Sequence, residues 1–192
     1  MQPDTTLTSD DKRDRILDSA LMLFLRYGVK RTSIDDIARE VGIAKGTIYL
    51  SFDSKAALFA AIADRLCAST LSKAERISSG VTPPTERIIE VLDCYIGETH
   101  RLVAQSPHIA ELTASREALA TQAFQTLDGQ IRSLLSALLS EAGIDRDGAD
   151  AMFIAAGLGT LQTGDNAAQP YRDRLRAMVD TLVAGLVCLA KA

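Results

Sequence analysis

Between Thr32 and Phe52 the chain reads TSIDDIAREVGIAKGTIYLSF. Ile34, Ile37, Ala38 and Val41 recur at helical spacing and make one apolar face. Ser33 precedes them as an N-cap. Asp35 and Asp36 fall in the first turn, where the helix dipole favours negative charge. Gly42 supplies the positive φ that a tight helix-to-helix turn needs. Ile43 turns back toward the core, and a second short helix runs from about Ala44 to Leu50 with Ile48 inward. Phe52 closes this small core. Two helices of that length cannot be stable alone, so the rest of the chain must hold them.

The remaining sequence predicts more helix. Of 192 residues, 47% are hydrophobic and 24% charged, with five prolines and twelve glycines. No stretch alternates β-branched and polar residues, so no sheet is expected and the class is all-α. A first helix starts at Thr8 or Ser9, carries Ile16, Leu17, Ala20, Leu23, Phe24 and Tyr27, and stops at Gly28. Asp53-Ser54 caps a long helix from Lys55 to about Ser78, and Gly80 with Thr82-Pro83-Pro84 breaks it. Further helices are predicted over 85–105, briefly after Ser106-Pro107, over 116–142 up to Gly143, over 147–163, and from Pro170 to about Ala190. About nine helices result. They divide into a three-helix, helix-turn-helix DNA-binding domain (residues 1–54) and a helical ligand-binding and dimerisation domain (residues 55–192).

Charge is unevenly spread. The net charge is −4, which argues against a general nucleic-acid coat protein. Residues 1–55 hold nine basic and nine acidic side chains, and residues 12–31 hold six basic against two acidic. A local basic surface is all that phosphate binding needs, because salt screens charges beyond about 8–10 Å. Cys67, Cys94 and Cys188 are odd in number and suit neither a disulfide framework nor a metal site, so buried thiols are expected. The N-terminus lacks the pattern of a signal peptide, and no apolar run reaches the roughly 18–20 residues that span a bilayer. A cytoplasmic protein with no membrane partner and no cofactor is the expectation.

The second helix of a helix-turn-helix enters the DNA major groove with its N-terminal residues leading. Here these are Ala44, Lys45, Gly46, Thr47 and Tyr49. Small Ala44 and Gly46 permit close approach. Thr47 can bond a base edge or touch a thymine methyl, Lys45 can reach a guanine edge or a phosphate, and Tyr49 can donate to a phosphate. Thr32 and Ser33, at the start of the preceding helix, and Lys55, in the first turn of the next, are placed to grip phosphates. An ordinary solvated lysine and a half-buried aromatic are the bland alternatives for Lys45 and Tyr49.

Residues 9–60 resemble the DNA-binding region of the tetracycline-repressor (TetR/AcrR) family. The resemblance rests on an amphipathic first helix, Tyr27-Gly28, Thr32-Ser33-Ile34, Ile37-Ala38, Val41-Gly42-Ile43, Lys45-Gly46-Thr47-Ile48-Tyr49, Phe52, Ser54-Lys55 and Leu58-Phe59. Leu50 and Ser51 depart from it, since the family often has His or Tyr just before the Phe and an aromatic or basic residue before that. The resemblance implies an all-helical homodimer joined through the last two helices of each subunit. It implies a palindromic double-stranded operator and release by a small-molecule effector. A ligand-independent regulator or an activator of the same fold is the alternative.

Polar or aromatic residues on apolar stretches of the middle helices are the candidate effector contacts: Tyr95, His100, His108, Phe124, Gln130, Met152 and Gln162. For each, a place in the core or on a solvated face is the competing reading. His100 and His108 lack acidic neighbours at metal-ligand spacing, so no metal is expected. Enzyme chemistry is not expected either: there is no nucleophile elbow and no phosphate loop, and Gly157-x-Gly159 has no preceding strand.

Overall fold

The computed structural model describes residues 9–144, 148–161 and 168–189. Among the described residues there are nine helices and no strand, the continuous run 84–104 being counted once. They are α1 (Ser9–Tyr27), α2 (Ile34–Val41), α3 (Lys45–Tyr49), α4 (Lys55–Ser78), α5 (Pro84–Leu92, a π turn Asp93–Gly97, then Glu98–Ala104), α6 (Ile109–Leu119), α7 (Thr121–Glu141), α8 (Gly148–Leu161) and α9 (Ala168–Leu189). Two compact units result. One joins the residues up to Leu66 with Ser106–Ala123; the other joins Cys67–Gln105 with the residues from Phe124 onward. The division falls inside α4.

In the first unit, α1 contributes Ile16, Leu17, Ala20 and Phe24 to the core, and α4 contributes Leu58, Phe59, Ile62 and Ala63. The rings of Phe24 and Phe59 meet in a tilted pair with centroids 5.9 Å apart. Against these pack all four apolar residues of α2, together with Ile48 and Phe52. Ile43 is only half-buried. The start of α2 is a full capping box: Ser33 Oγ accepts from the Asp36 amide at 3.1 Å, and the Asp36 carboxylate accepts from the Ser33 amide at 2.9 Å. Gly42, at φ 78°, ends α2 with its amide donating to Ala38 O.

The second unit has its core in Ile88, Ile89, Val91 and Leu92 of α5, Ile131, Leu135, Leu138 and Leu139 of α7, Met152 of α8, and Leu175 and Val179 of α9. Arg87 is buried among them. Its guanidinium donates to Ser78 O at 2.6 Å and Thr82 O at 2.8 Å, and pairs with Glu141. One side chain thereby ties the end of α4, the following turn and α7.

Three sequence expectations change. The helix expected over 116–142 is two helices broken at Ala120 (φ −138°), and Leu119, the last residue of α6, is exposed. Ala120 is buried in the first unit and Leu127 in the second, so the chain changes partners at a point where every residue is a competent helix former. The helix expected over 85–105 carries a π turn, with the Glu98 amide donating to Asp93 O. Cys188, expected to be buried, lies on an outward face of α9 and is exposed, whereas Cys67 and Cys94 are buried.

Candidate nucleic-acid interface

α3 is five residues long and buries one of them. Ile48 is fully buried; Ala44, Lys45, Gly46 and Tyr49 are exposed and Thr47 is half-buried. The helix therefore hangs from the unit by a single apolar anchor and turns its other side outward. Its N-cap, Ala44, makes no side-chain capping bond, in contrast to the closed capping box of α2. A Cβ added at Gly46 would meet nothing within 4 Å, so no internal contact requires a glycine there. Leu50, at the open end of α3, is 87% exposed.

Lys45 pairs with Asp35 at 2.8 Å. The hydrogen bond to that carboxylate raises the lysine pKa, so the ammonium stays charged. Both side chains are about half exposed, and a pair of that kind holds a position more than it stabilises a fold. The Ser33 hydroxyl and amide similarly hold the Asp36 carboxyl below the usual carboxylate range.

Two residues expected to grip phosphate have inward partners. Thr32 is buried, and its hydroxyl donates to Gly28 O at 2.8 Å, closing the turn between α1 and α2. The Lys55 ammonium donates to Val29 O at 2.6 Å, Thr32 O at 2.9 Å and Lys30 O at 3.4 Å. Its place in the first turn of α4 is thus explained by three backbone carbonyls of the turn between α1 and α2. Sequence reading missed the arrangement because these residue types suit either partner.

The basic cluster of α1 also has internal work. Arg15 donates to Val41 O at 3.0 Å, at the C-terminal end of α2. Arg13 donates to Ser51 O at 3.3 Å, just past α3, and its guanidinium lies 4.3 Å from the Phe52 ring centroid. Cations at helix C-termini satisfy carbonyls that have no partner within the helix. α6 fixes the other end of α1. Ser106 Oγ donates to Leu25 O at 2.6 Å, and the Glu111 carboxylate accepts from the Lys30 amide at 2.5 Å. Gly28 (φ 83°) sits beneath them, and a Cβ there would be 2.6 Å from Glu111 Oε2.

The candidate effector residues do not form one group. His108 is the N-cap residue of α6 in the first unit, beside Gly28. Tyr95, His100, Phe124, Gln130 and Met152 belong to the second unit. Met152 is fully buried core and Gln130 is exposed, while His100 and Phe124 are half-buried. Gln162 lies outside the described residues. Tyr95 stacks on Phe153 at 5.3 Å and donates its hydroxyl to Asp128. Arg132, 4.5 Å from the Phe153 centroid, extends that stack and pairs with Asp150. Among the described residues no three His, Cys, Asp or Glu side chains cluster as metal ligands, and no helix is long and apolar enough to cross a membrane.

Comparison with known proteins agrees with this geometry. The profile of the family described as bacterial regulatory proteins, tetR family, matches residues 16–62, from α1 into α4. The helix-turn-helix transcriptional regulator YvdT of Bacillus subtilis is 32% identical over 133 residues, 68% of this chain and 66% of that protein. The biofilm operon negative regulator IcaR of Staphylococcus aureus is 43% identical over 47 residues, 24% of this chain and 25% of that protein. A TetR/AcrR-family regulator from Thermobifida fusca has the same fold, with a TM-score of 0.68 at 22% identity over 88% of this chain and 96% of that one. The ordered motif from α1 to α4 and the nine-helix architecture agree, and the chain belongs to the TetR family of bacterial regulatory proteins.

Proposed function

We propose that the chain is a transcriptional regulator that binds a palindromic double-stranded operator as a homodimer, and that it acts as a repressor released by a small molecule. The observation that carries the DNA contact is α3. One residue anchors it, the remainder faces outward, and it holds a glycine that no internal contact requires. That is the form of a helix meant to approach another surface closely. Lys45, Gly46, Thr47 and Tyr49 form the reading edge, with Ala44 and Ser33 beside it. Thr32 and Lys55 hold this edge in place from within, through the turn between α1 and α2. The repressor sense is supported by IcaR, described as a negative regulator.

The test is a mobility shift on the DNA upstream of the chain's own reading frame, against random duplex. Specific binding is expected. Thr47→Ala should alter preference at one base pair per half-site by about 1–3 kcal/mol and leave binding to random DNA unchanged. Equal losses on specific and random DNA would remove Thr47 from base reading. Absence of any duplex bound above random DNA would end the regulator reading.

A further inference from the structure

The second unit holds a charge cluster that DNA reading does not use. In the π turn of α5 the Asp93 side chain is 14% exposed; Arg101 Nη1 donates to it at 3.0 Å, and Arg172 Nε lies 3.4 Å away. Tyr171, one residue before Arg172, is 8% exposed, and its phenol oxygen has no hydrogen-bond partner among the described residues. These groups converge over Gly97. A Cβ there would lie 2.9 Å from both Arg101 Nη1 and Tyr171 Cε1, and closer still to Asp93 Oδ1. The missing side chain at position 97 is what lets them meet. Both α8 and α9 pack against this π turn, and such turns are frequent at functional sites.

A buried hydroxyl without a partner has given up its bonds to water for nothing, and native structures rarely leave one so. Burial and the nearby Asp93 charge push the Tyr171 phenol well above its usual range, so it keeps its proton and is a donor. Asp93, Arg101 and Arg172 together carry one net positive charge. The neighbouring Lys73–Glu98 pair, at 2.7 Å, adds none. Each guanidinium has five N–H donors, and both are exposed enough to engage a second acceptor.

From this geometry we propose that the π turn of α5 and the start of α9 form the anion-recognising end of the effector site, taking a monocarboxylate that accepts from Tyr171, Arg101 and Arg172. The proposal rests on the ligand-responsive reading above. A planar, singly charged anion matches both the guanidinium fork and the net charge. A dianion such as phosphate would be left partly uncompensated, and a cation would meet two arginines.

The whole chain is titrated by calorimetry and followed in thermal unfolding with sodium benzoate and sodium hexanoate. Benzamide, hexanamide and sodium phosphate serve as comparisons at constant ionic strength. The carboxylates are expected to bind saturably and raise Tm, and the comparison compounds are not. Tyr171→Phe should weaken carboxylate binding by about tenfold or more, the value of a hydrogen bond to a charged group. It should leave the unliganded Tm unchanged or higher, because it deletes an unpartnered hydroxyl. Arg172→Gln, at a half-exposed position, carries the same expected loss. The site is overturned if neither carboxylate binds at millimolar concentrations, if both variants bind like the original chain, or if Tyr171→Phe lowers the unliganded Tm. Carboxylate binding that leaves operator affinity unchanged would keep the anion site and sink its role as effector end. Operator release by compounds indifferent to Tyr171→Phe would keep the regulator reading and overturn this site.

Discussion

Lys55 stands in the first turn of a helix, where the dipole disfavours a cation by roughly 0.3–1 kcal/mol. A phosphate would reverse that sign, and so do the carbonyls of Val29, Lys30 and Thr32. The position was legible in the sequence and the partner was not, because a lysine stem of that length reaches either way. The two roles separate experimentally. Lys55→Met should destabilise the chain by about 1–3 kcal/mol in denaturant unfolding, since the part-buried bonds to Val29 O and Thr32 O lose their charged donor. It should weaken binding to all duplexes alike and leave the salt dependence unchanged. A salt slope lowered by about one would instead give the ammonium to a phosphate. Thr32 carries the same lesson: a threonine before an N-cap residue reads as a free hydroxyl, yet here it closes the turn above Gly28.

Helix ends were the most legible elements and helix interiors the least. Ser33, Gly28 and Gly42 are residues whose local chemistry fixes a boundary without tertiary help, and all three act where the sequence places them. The π turn at Asp93–Gly97 and the break at Ala120 have no such marker. Gly97 is read correctly only once Asp93, Arg101 and Tyr171 are known to meet over it. Arg87 belongs to the same class. A charged residue near a helix start predicts a solvated face, but the end of α4 and the following turn present carbonyls that only a long donor can reach. Arg87→Met removes that donor while keeping most of the apolar stem. It should cost on the order of 3 kcal/mol, because Ser78 O and Thr82 O lose their charged donor together. In a chain of this size that lowers Tm by roughly 6–12 °C. A change within 2 °C or so would show that water replaces the guanidinium without loss.

At the scale of the whole molecule, one copy of α3 reads too few base pairs to select a site. In the proposed homodimer, specificity comes from two copies held about 34–36 Å apart, one turn of DNA. Pairing through α8 and α9 is the arrangement proposed here, and the exposure of these helices bears on it. Ile154 of α8 is 54% exposed, an apolar side chain that the single chain leaves in water. On a two-fold interface each such residue is buried twice, once in each copy, so a single substitution is felt twice. Ile154→Asp should shift sedimentation equilibrium from dimer to monomer while the far-ultraviolet dichroism stays helical. Binding to the full operator should then fall to the level of a half-site, because the second head is no longer delivered by the first. The same variant should bind an isolated half-site as well as the original chain does, since α3 and its supports lie in the other unit. A dimer that survives Ile154→Asp with operator affinity intact would place the pairing surface elsewhere. It would also leave a ligand at the π turn, which packs against both α8 and α9, with no dimer seam on those helices to act through.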